Sequence, residues 1–151
     1  MAILNVNGTD YKGKVSFDFE TMADEKYSGE TDKANQSGGL MKIYMNLLDD
    51  SNLYLLAFWD CSFAHLKGKE RPTVNEIKTA LEEYIEKHGD TQELFKVAFK
   101  AIDEAGFTKG KVTKFWKRLD KMKATGKTEE EKKANEEAYN QMAENRAELL
   151  A

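Results

Sequence analysis

Apolar and polar residues change period several times along this chain, and each change predicts a different element. Ile3, Leu4 and Val6, then Asn7-Gly8, then Thr9-Asp10-Tyr11 read as two short strands joined by a turn. Its Asn-Gly pair accepts the positive φ angles of a type I′ hairpin. A second turn is expected at Lys12-Gly13-Lys14, with Val15 and Phe17 extending the ribbon. After Ser16 or Asp18 the spacing of Phe19, Met22 and Ala23 becomes helical and predicts a short helix ending near Tyr27. Ser28 to Gly39 holds no apolar residue except Ala34, and three glycines, so it reads as an exposed, mobile connection. Leu40, Ile43, Tyr44, Leu47 and Leu48 then recur at offsets of three and four, which defines an amphipathic helix stopping at Asp49-Asp50.

Leu53 to Leu66 is apolar at nearly every position, so a helix there needs neighbours on most sides and is expected at the centre of the molecule. Asp50 and Ser51 are its candidate N-caps, and Lys67-Gly68-Lys69 its basic end. Asp60 and His65 interrupt the run, which falls short of the roughly 18 to 20 apolar residues a membrane span needs. The short link predicts that this helix and the one before it form an antiparallel hairpin. Thr73 and Glu76 fit a capping box, so the next helix starts at Val74, buries Val74, Ile77, Leu81, Tyr84 and Ile85, and stops at Gly89. Asp90 and Glu93 repeat that logic for a helix carrying Leu94, Phe95, Ala98 and Ile102 and closed by Gly106. Thr108 is expected to cap a helix with Val112, Phe115, Trp116, Leu119 and Met122 on one stripe, ending around Gly126. Thr128 and Glu131 start a last helix over 129–149, whose stripe of Ala134, Ala138 and Met142 is thin. So little apolar area offsets ordering entropy poorly, which predicts a frayed tail or one completed by another chain. The fold expected is α+β, mostly α: a short N-terminal β-hairpin followed by a bundle of about six to seven helices. Residues 1–126 form a single helical domain, and 127–151 a charged C-terminal helix or frayed tail.

Composition sharpens this picture. The chain has 151 residues, 40% hydrophobic and 33% charged, with one proline and a net charge of -4, which suits one charged helical domain. Residues 1–66 carry 5 basic and 10 acidic side chains, 67–126 carry 14 and 10, and 127–151 carry 4 and 7, so a basic middle is flanked by acidic ends. A single cysteine excludes an internal disulfide and no secretory leader pattern opens the chain, so a reducing cytoplasm is expected.

Candidate chemistry is sparse. Cys61 and His65 stand four residues apart, a spacing that brings a thiol and an imidazole together on one helical face, but no Asn or Asp is placed by motif to orient the histidine. A lone cysteine in so apolar a run reads as a core residue, and too few ligands surround it for structural zinc. Asp60 is expected to reach water or a basic partner such as a lysine of the 109–123 helix, because an unpaired buried carboxylate is costly. No phosphate-loop, dinucleotide or zinc-protease pattern is present. No enzyme activity, cofactor or metal is expected. The basic helix 109–123, with Phe107, Phe115 and Trp116 interleaved, admits an alternative reading as a small nucleic-acid-associated regulatory protein. Its aromatic residues fall on the apolar stripe, however, and the chain is acidic as a whole, so nucleic acid ranks second to a protein interface.

The order of elements resembles a known family. The hairpin ILNVNGTDY, the polar break ending in Gly38-Gly39, the helix pair LMKIYMNLLDDSNLYLLAFWDCSFAH and the segment RPTVNEIKTALEEYIEKHGDTQELFKVAFKAIDEAG are similar to tail assembly chaperones of long-tailed bacteriophages and prophages of Gram-positive bacteria. The likeness spans most of residues 1–125 and is carried best by the Pro-Thr-x-x-Glu-Ile and Asp-x-x-Glu-Leu-Phe helix starts. It implies a non-catalytic protein of the host bacterial cytoplasm, absent from the mature virion. Such a protein binds the tape measure protein, keeps it soluble and helps recruit tail tube protein, often as a homo-oligomer, with a longer form commonly made by frameshifting. The family's pattern fixes no functional residue. The partner-binding candidates read from the sequence are Tyr54, Phe58, Lys114, Phe115, Trp116, Lys117 and Arg118.

Overall fold

A computed structural model describes residues 2–29 and 38–151. Strands β1 (Ile3–Val6) and β2 (Thr9–Lys12) are followed by helices α1 (Phe17–Lys26), α2 (Gly38–Leu48), α3 (Asn52–Ser62), α4 (Val74–His88), α5 (Gln92–Asp103), α6 (Lys109–Met122) and α7 (Glu129–Leu150). A 3₁₀ turn at Gly68–Glu70 precedes α4. This is the expected class: an antiparallel hairpin, then seven helices among the described residues.

The hairpin closes as its sequence dictates. Asn7 and Gly8 both take positive φ (53° and 84°), and Val6 pairs with Thr9. Leu4 and Val6 turn inward, and Ile3 and Asn5 outward. The expected extension of the ribbon does not form. Gly13 continues the pairing by one rung, donating its N–H to the Ala2 carbonyl (2.8 Å), and Lys14 then donates to the Ser62 carbonyl (2.9 Å), so there the chain leaves the sheet and crosses the end of α3. A Cβ on Gly13 would sit 2.8 Å from Ser62 Oγ, so this crossing needs glycine. Phe17 then opens α1, with Ser16 as its N-cap, and lies exposed edge-on against Phe107.

α3 is the centre, as its apolar run predicts: Leu55 and every residue from Ala57 to Ser62 are buried, and α1, α2, α4 and α5 pack around it. It stops at Ser62, short of the expected Leu66. The Lys14 amide occupies the Ser62 carbonyl and the Ser62 hydroxyl donates to the Trp59 carbonyl (3.0 Å), while Phe63 and Ala64 stay buried in the turn that follows. α2 buries all five residues of its predicted stripe. Gly38 and Gly39, read as loop, form its first turn; the rest of that connection, residues 30–37, lies outside the described residues. The Gly39 amide is capped by Asp24 of α1 (2.7 Å).

The capping box at Thr73 and Glu76 is complete, and Gly89 ends α4 with φ 80°. The second box is altered: Asp90 accepts from Gln92, and Thr91 takes the cap position. Thr108 faces backward; its buried hydroxyl donates to the Ile102 carbonyl, closing the α5–α6 turn from the wrong side for an N-cap. Thr128 caps α7 as expected, although Glu131 reaches back to the Lys127 amide (2.6 Å). Residues 129–138 of α7 are all exposed, and its second half packs on α2, α5 and α6 with Leu149 buried.

Candidate functional site

Four places hold the side chains that the sequence singles out or the fold brings together. The first is Asp60, completely buried within α3. Its carboxylate is met by Lys26 (3.0 Å), by Arg71 (2.9 Å) and by the hydroxyl of Tyr27 (2.8 Å). Basic partners were expected, but they come from α1 and from the segment before α4 instead of the 109–123 helix. Burial, reinforced by the bond to Asp60, pushes the Tyr27 phenol far above its ordinary range. Two cations and a hydroxyl meet the carboxylate here, which describes a structural knot.

The second is the Cys61–His65 pair. Because α3 ends at Ser62, His65 lies in the turn beyond it, not one helical turn along from Cys61. Burial first, and then the Asp60 charge, drive the thiol well above its ordinary value, the opposite of an activated nucleophile. Among the described residues no cluster of His, Cys, Asp and Glu has the composition of a metal site.

The third was not anticipated. Tyr44 of α2 donates to Asp103 of α5 (2.6 Å) and accepts from the Trp116 indole of α6 (2.8 Å). Arg146 of α7 closes the set with two bonds to the Asp103 carboxylate (3.0 and 3.2 Å), its guanidinium centred 5.0 Å over the Trp116 ring. Burial, with the bond to Asp103, raises the Tyr44 phenol well beyond its ordinary range. Burial works against the charge on Arg146 but is outweighed by Asp103. The sequence did carry one signal: the chain has three arginines, and the fork of arginine suits a buried carboxylate better than lysine does.

The fourth is an open groove of about 520 Å³ between α1, the start of α2 and α6. Leu40, Met41 and Met45 of α2 and Phe115, Leu119 and Met122 of α6 supply its apolar lining. Glu20 and Asp24 of α1 and Lys111, Lys114 and Arg118 of α6 supply the charges. Lys111 is engaged by Glu20, which leaves Lys114 and Arg118 as cations without a carboxylate among the described residues. The groove thus gathers three of the seven sequence candidates, Lys114, Phe115 and Arg118. Lys117 is exposed on α6 and Tyr54 half-buried on α3, both outside the groove. Phe58 (0% exposed) and Trp116 (8%) are buried in the core; the apolar stripe that marked them is the buried one. The methionines were visible in the sequence only as composition.

The family described as phage tail assembly chaperone protein, TAC, matches residues 3–117. That is more than half of the chain, from β1 into α6, and it leaves α7 outside. No curated protein and no solved structure gives a match.

Proposed function

Because the chain belongs to the phage tail assembly chaperone family, we propose that it seats amphipathic helical segments of the tape measure protein in the groove between α2 and α6. It thereby keeps that protein soluble in the host cytoplasm and helps bring tail tube subunits to it, without catalysis and without entering the finished particle. The observation that supports this reading is the chemistry of the groove. Methionines are unbranched and polarizable and adapt to clients of varied shape, while Lys114 and Arg118 offer charge to an acidic flank. Self-association of the chaperone on its client belongs to the same proposal. The nucleic-acid reading has weaker support: Trp116 is buried, and Lys111 and Lys123 are paired with Glu20 and Asp120.

Co-expression with the tape measure protein tests the proposal. The client is expected in the soluble fraction and co-purifying with the chaperone, and the pair Met45→Glu and Phe115→Glu should abolish this with the helical circular dichroism unchanged. A client that stays insoluble, or that binds the double variant as well as the native chain, would refute it.

A further inference from the structure

The outer edge of β2 is open. β1 packs against α4, whereas β2 meets no element but β1 among the described residues. Thr9, Asp10 and Lys12 are exposed, and Tyr11 alone turns partly inward, edge-on to Phe63. The register of the hairpin fixes which backbone groups face outward. Its two-residue turn makes Val6 and Thr9 exchange hydrogen bonds, every second pair repeats this, and the Gly13 amide on the Ala2 carbonyl continues the series. Asp10 and Lys12 fall between those pairs. Their N–H and C=O groups therefore point away from β1, and among the described residues no backbone group meets them.

The side chains on this edge select what can pair with it. Charge on a free edge ordinarily discourages pairing, and a lone lysine does so against any copy of itself. Here the two charges are opposite, and both stand on the solvent-facing side, across from Asn5 and Ile3. When β2 meets a second β2 antiparallel about a two-fold axis, its two outward residues allow three registers. One sets Asp10 against Asp10 and another Lys12 against Lys12, and both oppose like charges. The third centres the axis on Tyr11, so that Asp10 of each copy faces Lys12 of the other. Each such pair is then joined twice, by backbone hydrogen bonds and by an ion pair, while the two Tyr11 residues meet at the closer, non-hydrogen-bonded position on the inner face. The groups are available: one oxygen of Asp10 accepts from Asn5 (2.8 Å) and the other has no partner, and Lys12 is in no ion pair among the described residues.

We propose that the β2 edge is a self-recognition surface, through which two copies of the chain join β2 to β2 about Tyr11 in a four-stranded antiparallel sheet. A two-stranded ribbon is the least stable of sheets, and the pairing doubles it. So small an interface gives a reversible dimer, with a Kd of roughly 10 to 100 μM. The pairing needs no client. It stands apart from the chaperone reading, and its failure would leave the co-expression experiment unaffected.

Sedimentation equilibrium of the full-length chain up to about 500 μM, several times the weakest Kd expected, reads the dimer. Asp10→Lys or Lys12→Asp makes the facing charges alike and should weaken it at least about tenfold. The double exchange Asp10→Lys, Lys12→Asp restores opposite signs and should return the Kd to within about threefold of native. An equimolar mixture of the two single variants should form a heterodimer although neither pairs with itself. Cross-linking reads the register. Tyr11→Cys brings two thiols together across a pair whose Cα atoms lie about 4.5 Å apart, whereas Asp10→Cys leaves them two residues out of step, and the buried Cys61 takes no part. Mild oxidation should link the first variant and not the second. A native chain that stays monomeric, leaving the edge to a strand of another protein, would overturn the proposal. So would a dimer unmoved by either single reversal, or a disulfide formed as readily at position 10 as at 11.

Discussion

Gly39→Ala tests the tightest helix crossing in the fold. A Cβ at Gly39 would lie 1.9 Å from the Ala23 carbonyl oxygen, 2.2 Å from its carbon and 2.8 Å from the Asp24 nitrogen. All three are backbone atoms of α1, so no side chain can swing aside, and α1 and α2 must part by about 1 Å before the contact becomes tolerable. A gap of that size forfeits roughly a quarter to a half of the dispersion energy across the interface that buries Phe19 and Ala23. The Asp24 cap on the Gly39 amide stretches with it. Overpacking of this kind costs about 3 kcal/mol, and helix propensity returns at most about 1 kcal/mol. For a domain of this size the net loss lowers Tm by roughly 4 to 12 °C. Gly110→Ala, at a helical glycine with nothing within 4 Å of the added carbon, is the control and should be neutral or slightly stabilising. The assay is thermal unfolding followed by circular dichroism and calorimetry. An unchanged or raised Tm for Gly39→Ala would show that α1 does not cross α2 at this glycine, and the reasoning would fall.

The partners of Asp60 should rank by burial. Asp60→Ala and Arg71→Ala each break a buried pair and should cost about 3 kcal/mol in urea unfolding, whereas Lys26→Ala, at a half-exposed side chain, should cost less than about 1 kcal/mol; equal losses at all three would contradict the knot. The raised phenols of Tyr27 and Tyr44 predict alkaline lability. The folded state favours the neutral phenol, so this contribution is complete below the ordinary value of 10.0 and is lost as pH climbs through the raised folded values. Phenolate absorbance should therefore show two of the six tyrosines ionising only as the fold is lost, and six ordinary titrations in the folded protein would exclude it.

What the sequence made legible was local. Asn7-Gly8, the Thr73–Glu76 box, Gly89 and the stripe of α2 each encode their geometry within a few residues, and each appears where its pattern puts it. What it hid was decided across the fold. The end of α3 is fixed by an amide 48 positions earlier in the chain, and Phe63 and Ala64 are apolar because they are buried in a turn, so periodicity extended the helix through them. The partners of Asp60 lie 34 and 11 residues away, and no spacing rule selects Lys26 and Arg71 over the many lysines of α6. The candidate site divides in the same way. Lys114, Phe115 and Arg118 stand out as cations interleaved with aromatics on one helix, but their partners Met41 and Met45 become part of the groove only when α2 and α6 are brought together. Arg146 lies on a helix whose apolar stripe is thin, and no spacing rule ties it to Asp103, 43 positions earlier.

Holding other proteins' helices sets two opposed requirements, since a receptor that deforms with every client loses its own fold and one that cannot deform accepts a single shape. This chain assigns them to different residue types. Two of its three arginines, Arg71 and Arg146, are fixed on buried carboxylates, where a planar fork tolerates little displacement. Three of its six methionines, Met41, Met45 and Met122, lie along one groove. Each has three rotatable bonds and loses little by changing rotamer at a surface that is already wet. Adaptability is thus confined to the side chains of the groove while the backbone beneath it is pinned, because α1 and α2 meet with no more room than a glycine leaves and α6 is tied to α2 through Trp116 and Tyr44. Under the proposed function a helical client reshapes the lining of the site without reshaping the protein.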